Sequence, residues 1–120
     1  MIDDENRYTV EEVVELCKSA PIMVVARKKT ELFLYKIGCD DFDKIESEIR
    51  SLRAEHSCAD PEPDYGIGRK GYVYQFKKMI LERYWCYIKL KVKLRDNKRK
   101  IIVVISLHEE DINYEKVQNQ

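Results

Sequence analysis

The sequence predicts a single-domain α+β protein, with N-terminal helices packed on one face of a C-terminal antiparallel sheet. Apolar residues recur with the helical period of 3.6 over residues 8–53 and with the strand period of 2 over residues 72–110. With 120 residues, of which 44% are hydrophobic, the chain is long enough to fold around one core and too short for two.

The first predicted helix begins at a capping box, in which the side chains of Thr9 and Glu12 each bond the other residue's backbone N–H. Pro21 ends this helix, because the residue before a proline is pushed out of helical geometry. Residues 22–25 are rich in β-branched side chains, which is typical of an edge strand or an extended connection. The buried stripe of the helix consists of Val10, Val13, Val14 and Cys17.

Two further helices are expected. The second covers residues 28–37 and ends at Gly38, which suits a left-handed C-terminal cap. The third starts near Asp40 or Asp41, since carboxylates are favourable at the positive end of a helix dipole. Its apolar stripe consists of Phe42, Ile45, Ile49 and Leu52.

Three strands are expected after a long loop. Residues 54–71 have no periodicity and are rich in proline and glycine, so they are predicted to form that loop. A strand over residues 72–79 follows, and then residues 86–94 alternate between apolar and polar, as in a strand with one buried face. Residues 96–97 are a predicted turn into an apolar strand over residues 101–107.

The formal net charge of zero hides an uneven order of charges along the chain. Residues 1–66 contain 9 basic and 16 acidic side chains, whereas residues 67–100 contain 12 basic and 2 acidic ones. Residues 101–120, which end in a predicted tail over residues 111–120, are acidic again. Such asymmetry is typical of proteins that contact nucleic acids or membranes.

Composition excludes several classes of protein. The longest uncharged apolar run, Ile101 to Leu107, is too short to span a membrane, and the acidic N-terminus lacks the features of a signal peptide. The protein is therefore expected in the cytoplasm, without a membrane partner. The four cysteines form no CxxC pair, so the sequence offers no framework for structural zinc.

Two patterns imitate ligand sites. His56, Cys58 and Asp60 alternate within the loop, but a metal site would need a fourth ligand and a rigid support. Residues 66–71 match GxGxxG, but a dinucleotide fingerprint needs a strand before it and a helix after it. No metal or cofactor is therefore expected. Within this segment Arg69 and Lys70 are instead available to phosphates.

The pairing of the last two strands decides which side chains share a face. If residues 96–97 form a two-residue loop, Ser106 and His108 share a face with the basic and aromatic residues of the preceding strand. A loop one residue longer would move both to the other face. The pairs expected from the shorter loop are Tyr87 with Ser106, Trp85 with His108, and Lys89 with Val104.

The expected open face combines basic, aromatic and proton-transferring side chains. Gln75 and Lys77 are placed there because the aromatic residues that alternate with them suit the core better. Lysines provide contacts to phosphates, and exposed aromatic rings stack on unpaired bases. Neighbouring lysines would also lower the pKa of Tyr87, which favours a base. The whole set comprises Gln75, Lys77, Trp85, Tyr87, Lys89, Lys91, Lys93, Arg95, Ser106 and His108.

Other interpretations of these residues stay open. A strand with alternating lysines is often only a solvated face, and edge lysines also deter aggregation. A single histidine at the end of a strand is more often structural than catalytic. A passive RNA- or DNA-binding module, or a protein-binding domain, would fit the charge pattern as well as a nuclease does.

Two segments give the chain a family resemblance. Residues 87–92 (YIKLKV) and, after a short turn, residues 103–109 (VVISLHE) resemble the C-terminal signature of MqsR-like toxins. These are endoribonucleases of bacterial type II toxin–antitoxin systems with a RelE/YoeB-like fold. Residues 8–9, 38–42 and 74–77 have looser counterparts in the family.

The resemblance implies a metal-independent endonuclease that cleaves single-stranded mRNA and is neutralised by a cognate antitoxin. The family's glutamine and tyrosine match Gln75 and Tyr87, and its basic residue near the chain end falls on His108, where the best-known member has lysine. Another family lysine, upstream in the loop, has no counterpart. Its candidate substitutes are Lys77, Lys78 and Arg69.

The leading hypothesis is a toxin endoribonuclease in which Tyr87 and His108 share proton transfer, while Gln75, Lys77 and Lys89 hold the scissile phosphate. The alternative is a non-catalytic RNA- or DNA-binding or regulatory module that uses the same basic face. Contacts to RNA are expected from Trp85, Lys89, Lys91, Lys93, Arg69, Lys70 and Lys78.

Overall fold

The structure is a computed structural model that describes residues 7–25, 27–38, 42–64 and 71–110. Within these residues the strands form one five-stranded sheet. In chain order the elements are α1 (Val10–Ser19), β1 (Ile22–Val24), α2 (Lys28–Lys36), α3 (Phe42–Arg50), a 3-10 turn (Ala54–His56), β2 (Glu62–Pro63), β3 (Tyr72–Ile80), β4 (Tyr84–Leu94) and β5 (Lys100–Glu109). The spatial order of the strands is β1-β5-β4-β3-β2.

The first two helices follow the predicted signals. The backbone N–H of Glu12 donates to the Thr9 hydroxyl at 3.1 Å, and the N–H of Thr9 donates to the Glu12 carboxylate at 3.0 Å, so the capping box is confirmed. Helix α1 ends at Ser19, and its C-cap residue Ala20, in an extended conformation, lies directly before the proline. After α2, Gly38 takes a φ of 68°, the left-handed conformation that glycine adopts without strain.

Helix α3 packs against α1 and contributes its apolar stripe to the core. Ile45, Ile49 and Leu52 are buried as predicted, whereas the Phe42 side chain and residues 39–41 lie outside the described part of the chain. The Arg50 guanidinium donates to two carbonyl groups at the end of α1, which docks the two helices. Facing them, the sheet contributes Tyr74, Phe76, Ile88, Leu90, Ile102, Val104 and Leu107 to the same core.

The α+β class, with helices on one face of the sheet, is confirmed, but the sheet is larger than predicted and mixed rather than antiparallel. Strand β1 pairs parallel to β5, and β2 pairs antiparallel with β3 inside the segment that was expected to be only loop. The edge strand expected over residues 22–25 is thus confirmed as β1, whereas β2, which has only two residues, is too short to show a period. Among the described residues, no helix has both the length and the apolar character needed to cross a membrane.

The β4–β5 hairpin turns through three residues rather than the predicted two. The backbone N–H of Arg95 donates to the carbonyl of Arg99 at 2.8 Å, so residues 96–98 form the loop. Lys98 has a φ of 61°, and the Asn97 side chain accepts the N–H of Arg99. A left-handed third residue is typical of three-residue hairpin loops. The prediction failed because a lysine in this conformation leaves no signal in the sequence.

A β-bulge at Ile105 restores the face that the longer turn would have reversed. Leu90 pairs with Val104 and Lys89 with Ser106, so Ile105 has no partner on β4. The turn and the bulge each shift the register by one residue, and two shifts preserve the alternation of faces. Ser106 and His108 therefore lie on the predicted face, but the predicted pairs are wrong. The observed pairs are Tyr87 with His108 and Lys89 with Ser106. Trp85 lies opposite Glu110, and the backbone N–H of Glu110 donates to the Trp85 carbonyl.

Replacing Lys98 by glycine should raise the free energy of unfolding by about 0.5–1 kcal/mol, because glycine relieves the left-handed strain. Lys93→Gly is the matched control, since it removes the same charge from a strand position, where glycine should destabilise the protein. Urea unfolding measures both. A loss of stability in Lys98→Gly would contradict the left-handed turn.

Candidate functional site

Six half-buried side chains form two adjacent rows across β3, β4 and β5, on the face turned away from the helices. We call them the open-face cluster. They share this face because each alternates with a residue of the core. One row is Lys77, Tyr87 and His108; the other is Gln75, Lys89 and Ser106.

Tyr87 lies at the centre of the cluster. Its hydroxyl donates to the Gln75 side-chain oxygen at 2.8 Å across the β3–β4 pair. Its ring lies 5.5 Å from the His108 ring, centroid to centroid, with a 47° tilt between the two planes. The structure thus brings together the four residues predicted to be catalytic, Gln75, Lys77, Tyr87 and His108.

The hydrogen bond of His108 decides which of its nitrogens carries a proton. Nδ1 lies 2.9 Å from the Glu109 carbonyl oxygen, and a carbonyl can only accept. Nδ1 is therefore the protonated nitrogen, and Nε2 is the atom that can accept or release a further proton. An imidazole held in this tautomer is suited to act as a general base or acid.

The environment of Tyr87 opposes the predicted fall of its pKa. Burial raises the pKa of Tyr87, and the negative charges of an ionised Cys58 and of the Glu62 carboxylate raise it further. Two lysines that were expected to lower this pKa, Lys77 and Lys91, are instead held by carboxylates. Tyr87 therefore stays protonated and can donate a proton but is a poor base.

Glu110 holds two open-face residues and was not anticipated from the sequence. Its carboxylate forms an ion pair with the Lys77 ammonium and accepts a hydrogen bond from Trp85 Nε1 at 2.8 Å. This contact raises the pKa of the Lys77 ammonium. Trp85 keeps 44% of its surface exposed, so its ring remains available for stacking. Glu110 lies beyond the predicted strand and meets Trp85 only because of the bulge.

Lys91 is a buried ion-pair partner rather than a solvated cation. Its ammonium lies 2.8 Å from an Asp64 carboxylate oxygen, and both side chains are only 9% exposed. The pair sits in an apolar part of the open face, where Lys91 is aligned with Val73 on β3 and Val103 on β5. Asp64 follows β2, and the sequence gives no sign that this residue reaches β4.

The remaining basic residues separate into three groups. Lys78 is on the core side of the sheet, where its ammonium donates to the Glu48 carbonyl at 2.8 Å and to the Ser51 hydroxyl, so it does not share the open face. Lys89 and Lys93 form no ion pair within the described part of the chain. Arg69 and Lys70 lie outside the described residues.

Cys58 lies beside the cluster, although the sequence analysis considered it only as part of a pattern in which no metal site was expected. Its backbone N–H donates to the Gln75 carbonyl at 3.0 Å, and burial raises the pKa of its thiol. His56 Nδ1 accepts the N–H of Arg53. Across the described segments, His, Cys, Asp and Glu side chains form no group of three that could hold a metal ion.

Lys91→Met should lower the free energy of unfolding by about 3 kcal/mol, because it leaves the Asp64 carboxylate buried without its cation. Lys93→Met, an exposed position on the same strand, should change it by less than about 0.5 kcal/mol. Denaturant unfolding compares the two. Equal losses of unfolding free energy in the two variants would mean that the Lys91–Asp64 pair is solvated.

Tyr87 should ionise above the ordinary tyrosine pKa of about 10. Since its pKa is raised on folding, the stability contributed by the neutral phenol is complete below about pH 10 and is lost as the pH rises through the folded value. Ultraviolet absorbance titration of the parent minus Tyr87→Phe isolates this phenol. A difference curve with a midpoint at or below that of N-acetyltyrosinamide would contradict the assignment.

Comparisons of the chain with protein-family models, with curated proteins and with solved structures found no match. The resemblance to MqsR-like toxins therefore rests on the sequence segments quoted for it.

Proposed function

We propose that this protein is a metal-independent endoribonuclease that cleaves single-stranded mRNA in the cytoplasm. The observation that carries the proposal is the arrangement around Tyr87, which contacts Gln75 and packs beside His108 in a row that also contains Lys77. A proton donor and a proton acceptor in one row, with the Lys89 ammonium in the adjacent row, are the groups needed to cleave RNA without a metal.

His108 and Tyr87 divide the proton transfers in this proposal. His108 Nε2 removes the proton of the ribose 2′-hydroxyl, whose oxygen then forms a bond to phosphorus. The bond from phosphorus to the 5′-oxygen breaks, and the Tyr87 hydroxyl gives its proton to that oxygen. The products are a 2′,3′-cyclic phosphate and a 5′-hydroxyl. The raised pKa of Tyr87 keeps its hydroxyl protonated, so that it has a proton to give.

The neighbouring side chains support this step. Lys89, which lies beside Tyr87 in the second row, supplies positive charge to the pentacoordinate phosphorus. Gln75 orients the Tyr87 hydroxyl. Lys93, further along β4, contacts the sugar–phosphate backbone of the RNA. Lys91 is assigned to the fold and not to RNA, since it is buried against Asp64.

The toxin assignment is the part of the proposal that depends on the family resemblance. A type II toxin arrests growth when expressed alone, and a cognate antitoxin restores it. Expression of the chain with and without the product of an adjacent gene tests this assignment independently of the chemistry.

Tyr87→Phe and His108→Ala should each slow cleavage of single-stranded RNA in EDTA by about 100-fold or more, because each removes one proton-transfer group. Electrophoresis of labelled RNA gives the rate, and the cyclic phosphate identifies the reaction. Tyr35→Phe, at an exposed position on α2, and His56→Ala are the matched controls. Full activity in either test variant would overturn the mechanism.

A non-catalytic nucleic-acid-binding module is the second candidate. The observation that favours it is the neutralisation of Lys77 by Glu110, which reduces the charge available to a transition state. This candidate binds RNA or DNA with an affinity that falls as salt rises and yields no cleavage products. The same incubation in EDTA distinguishes the two functions.

A further inference from the structure

One carboxylate on the open face is held from two sides. The ammonium of Lys77 on β3 and the indole N–H of Trp85 on β4 both contact the side chain of Glu110, each through a different oxygen. The indole nitrogen of Trp85 lies 2.8 Å from a carboxylate oxygen of Glu110, which is a normal hydrogen-bond distance. Lys77 and Trp85 thus form a two-donor cradle that is already occupied by an anion from the same chain.

We propose that the Lys77–Trp85 cradle is a binding subsite for a backbone phosphate of single-stranded RNA, and that Glu110 occupies it until RNA displaces the carboxylate. The inference deepens the proposed function and rests on it for the identity of the ligand. A phosphodiester, like a carboxylate, presents two anionic oxygens to a pair of donors, and charge-assisted hydrogen bonds to such oxygens are strong.

The position of the cradle fits a phosphate next to the one that is cleaved. Lys77 pairs with Tyr87 across the sheet, so the cradle adjoins the proposed catalytic row. Trp85 precedes Tyr87 by two residues on the same face of β4, a distance of about 6.7 Å along a strand. The exposed Trp85 ring can stack on a base attached to that neighbouring phosphate.

The exposure of the partners explains why Glu110 can be displaced and Asp64 cannot. In the Lys77–Glu110 pair the two side chains are 31% and 14% exposed, whereas both members of the Lys91–Asp64 pair are 9% exposed. The contribution of an ion pair to stability falls as its exposure to solvent rises. The Glu110 contact therefore opens at a lower cost than the Lys91–Asp64 pair. A buried pair lacks this freedom, because its charges would be separated where little water can solvate them.

The test measures binding of a fluorescent 2′-O-methyl oligoribonucleotide, which cannot be cleaved because it lacks the 2′-hydroxyl. Glu110→Gln should lower its Kd by about fivefold or more, since the competing carboxylate is gone. Glu109→Gln is the matched control, because it removes the same charge from the neighbouring residue. The Glu109 side chain pairs with Lys36 on α2 and not with the cradle. Equal changes in the two variants, or no change in Glu110→Gln, would overturn the proposal.

Two double variants test the donors of the cradle. In the Glu110→Gln background, Lys77→Met and Trp85→Phe should each abolish the gain in affinity. Trp85→Phe keeps an aromatic ring for stacking but removes the N–H, so it separates the hydrogen bond from the stacking. If the gain survives in both double variants, the phosphate does not bind between these two donors.

Cleavage of unmodified RNA, measured in parallel, separates the two proposals. Tighter binding by Glu110→Gln without cleavage by any variant supports the subsite and overturns the nuclease. Cleavage by the parent without tighter binding by Glu110→Gln supports the nuclease and overturns the subsite. If neither the parent nor Glu110→Gln binds the oligonucleotide, the subsite proposal is wrong.

Discussion

The pairing register of β4 and β5 is the constraint on which the positions of Ser106, His108 and Glu110 on the open face depend. A three-residue turn with Lys98 in the left-handed conformation shifts this register by one residue, and the bulge at Ile105 shifts it again. Because side chains alternate with a period of two, either shift alone would move His108 into the core. The two irregularities together keep it beside Tyr87.

The basic segment of the chain does not form a simple basic surface. Carboxylates brought in from other segments hold three of its lysines, and only one of these pairs is deeply buried on the open face. Some of the 22 basic and 22 acidic residues are thus neutralised in ion pairs between distant segments of the chain. The pairs are Lys78 with Glu48 of α3, Lys91 with Asp64 after β2, and Lys77 with Glu110 after β5.

Local signals allowed most of the fold to be predicted. The capping box at Thr9, the proline after α1 and Gly38 after α2 each act through neighbouring backbone groups, so a short stretch of sequence is enough to recognise them. Strands β1 and β2 could not be placed in the sheet in the same way. A strand of two or three residues has no recognisable period, and its existence depends on a distant partner.

For the candidate site, the sequence by itself determined the residue types and the alternation that gives β3 and β4 one polar face. It also placed Gln75, Lys77 and Tyr87 on that face. The tertiary structure decided that His108 lies opposite Tyr87, that Glu110 holds Lys77 and that Lys91 is buried. These features depend on the register, the bulge and ion pairs between distant segments. Such interactions form only when the chain has folded, so no local pattern encodes them.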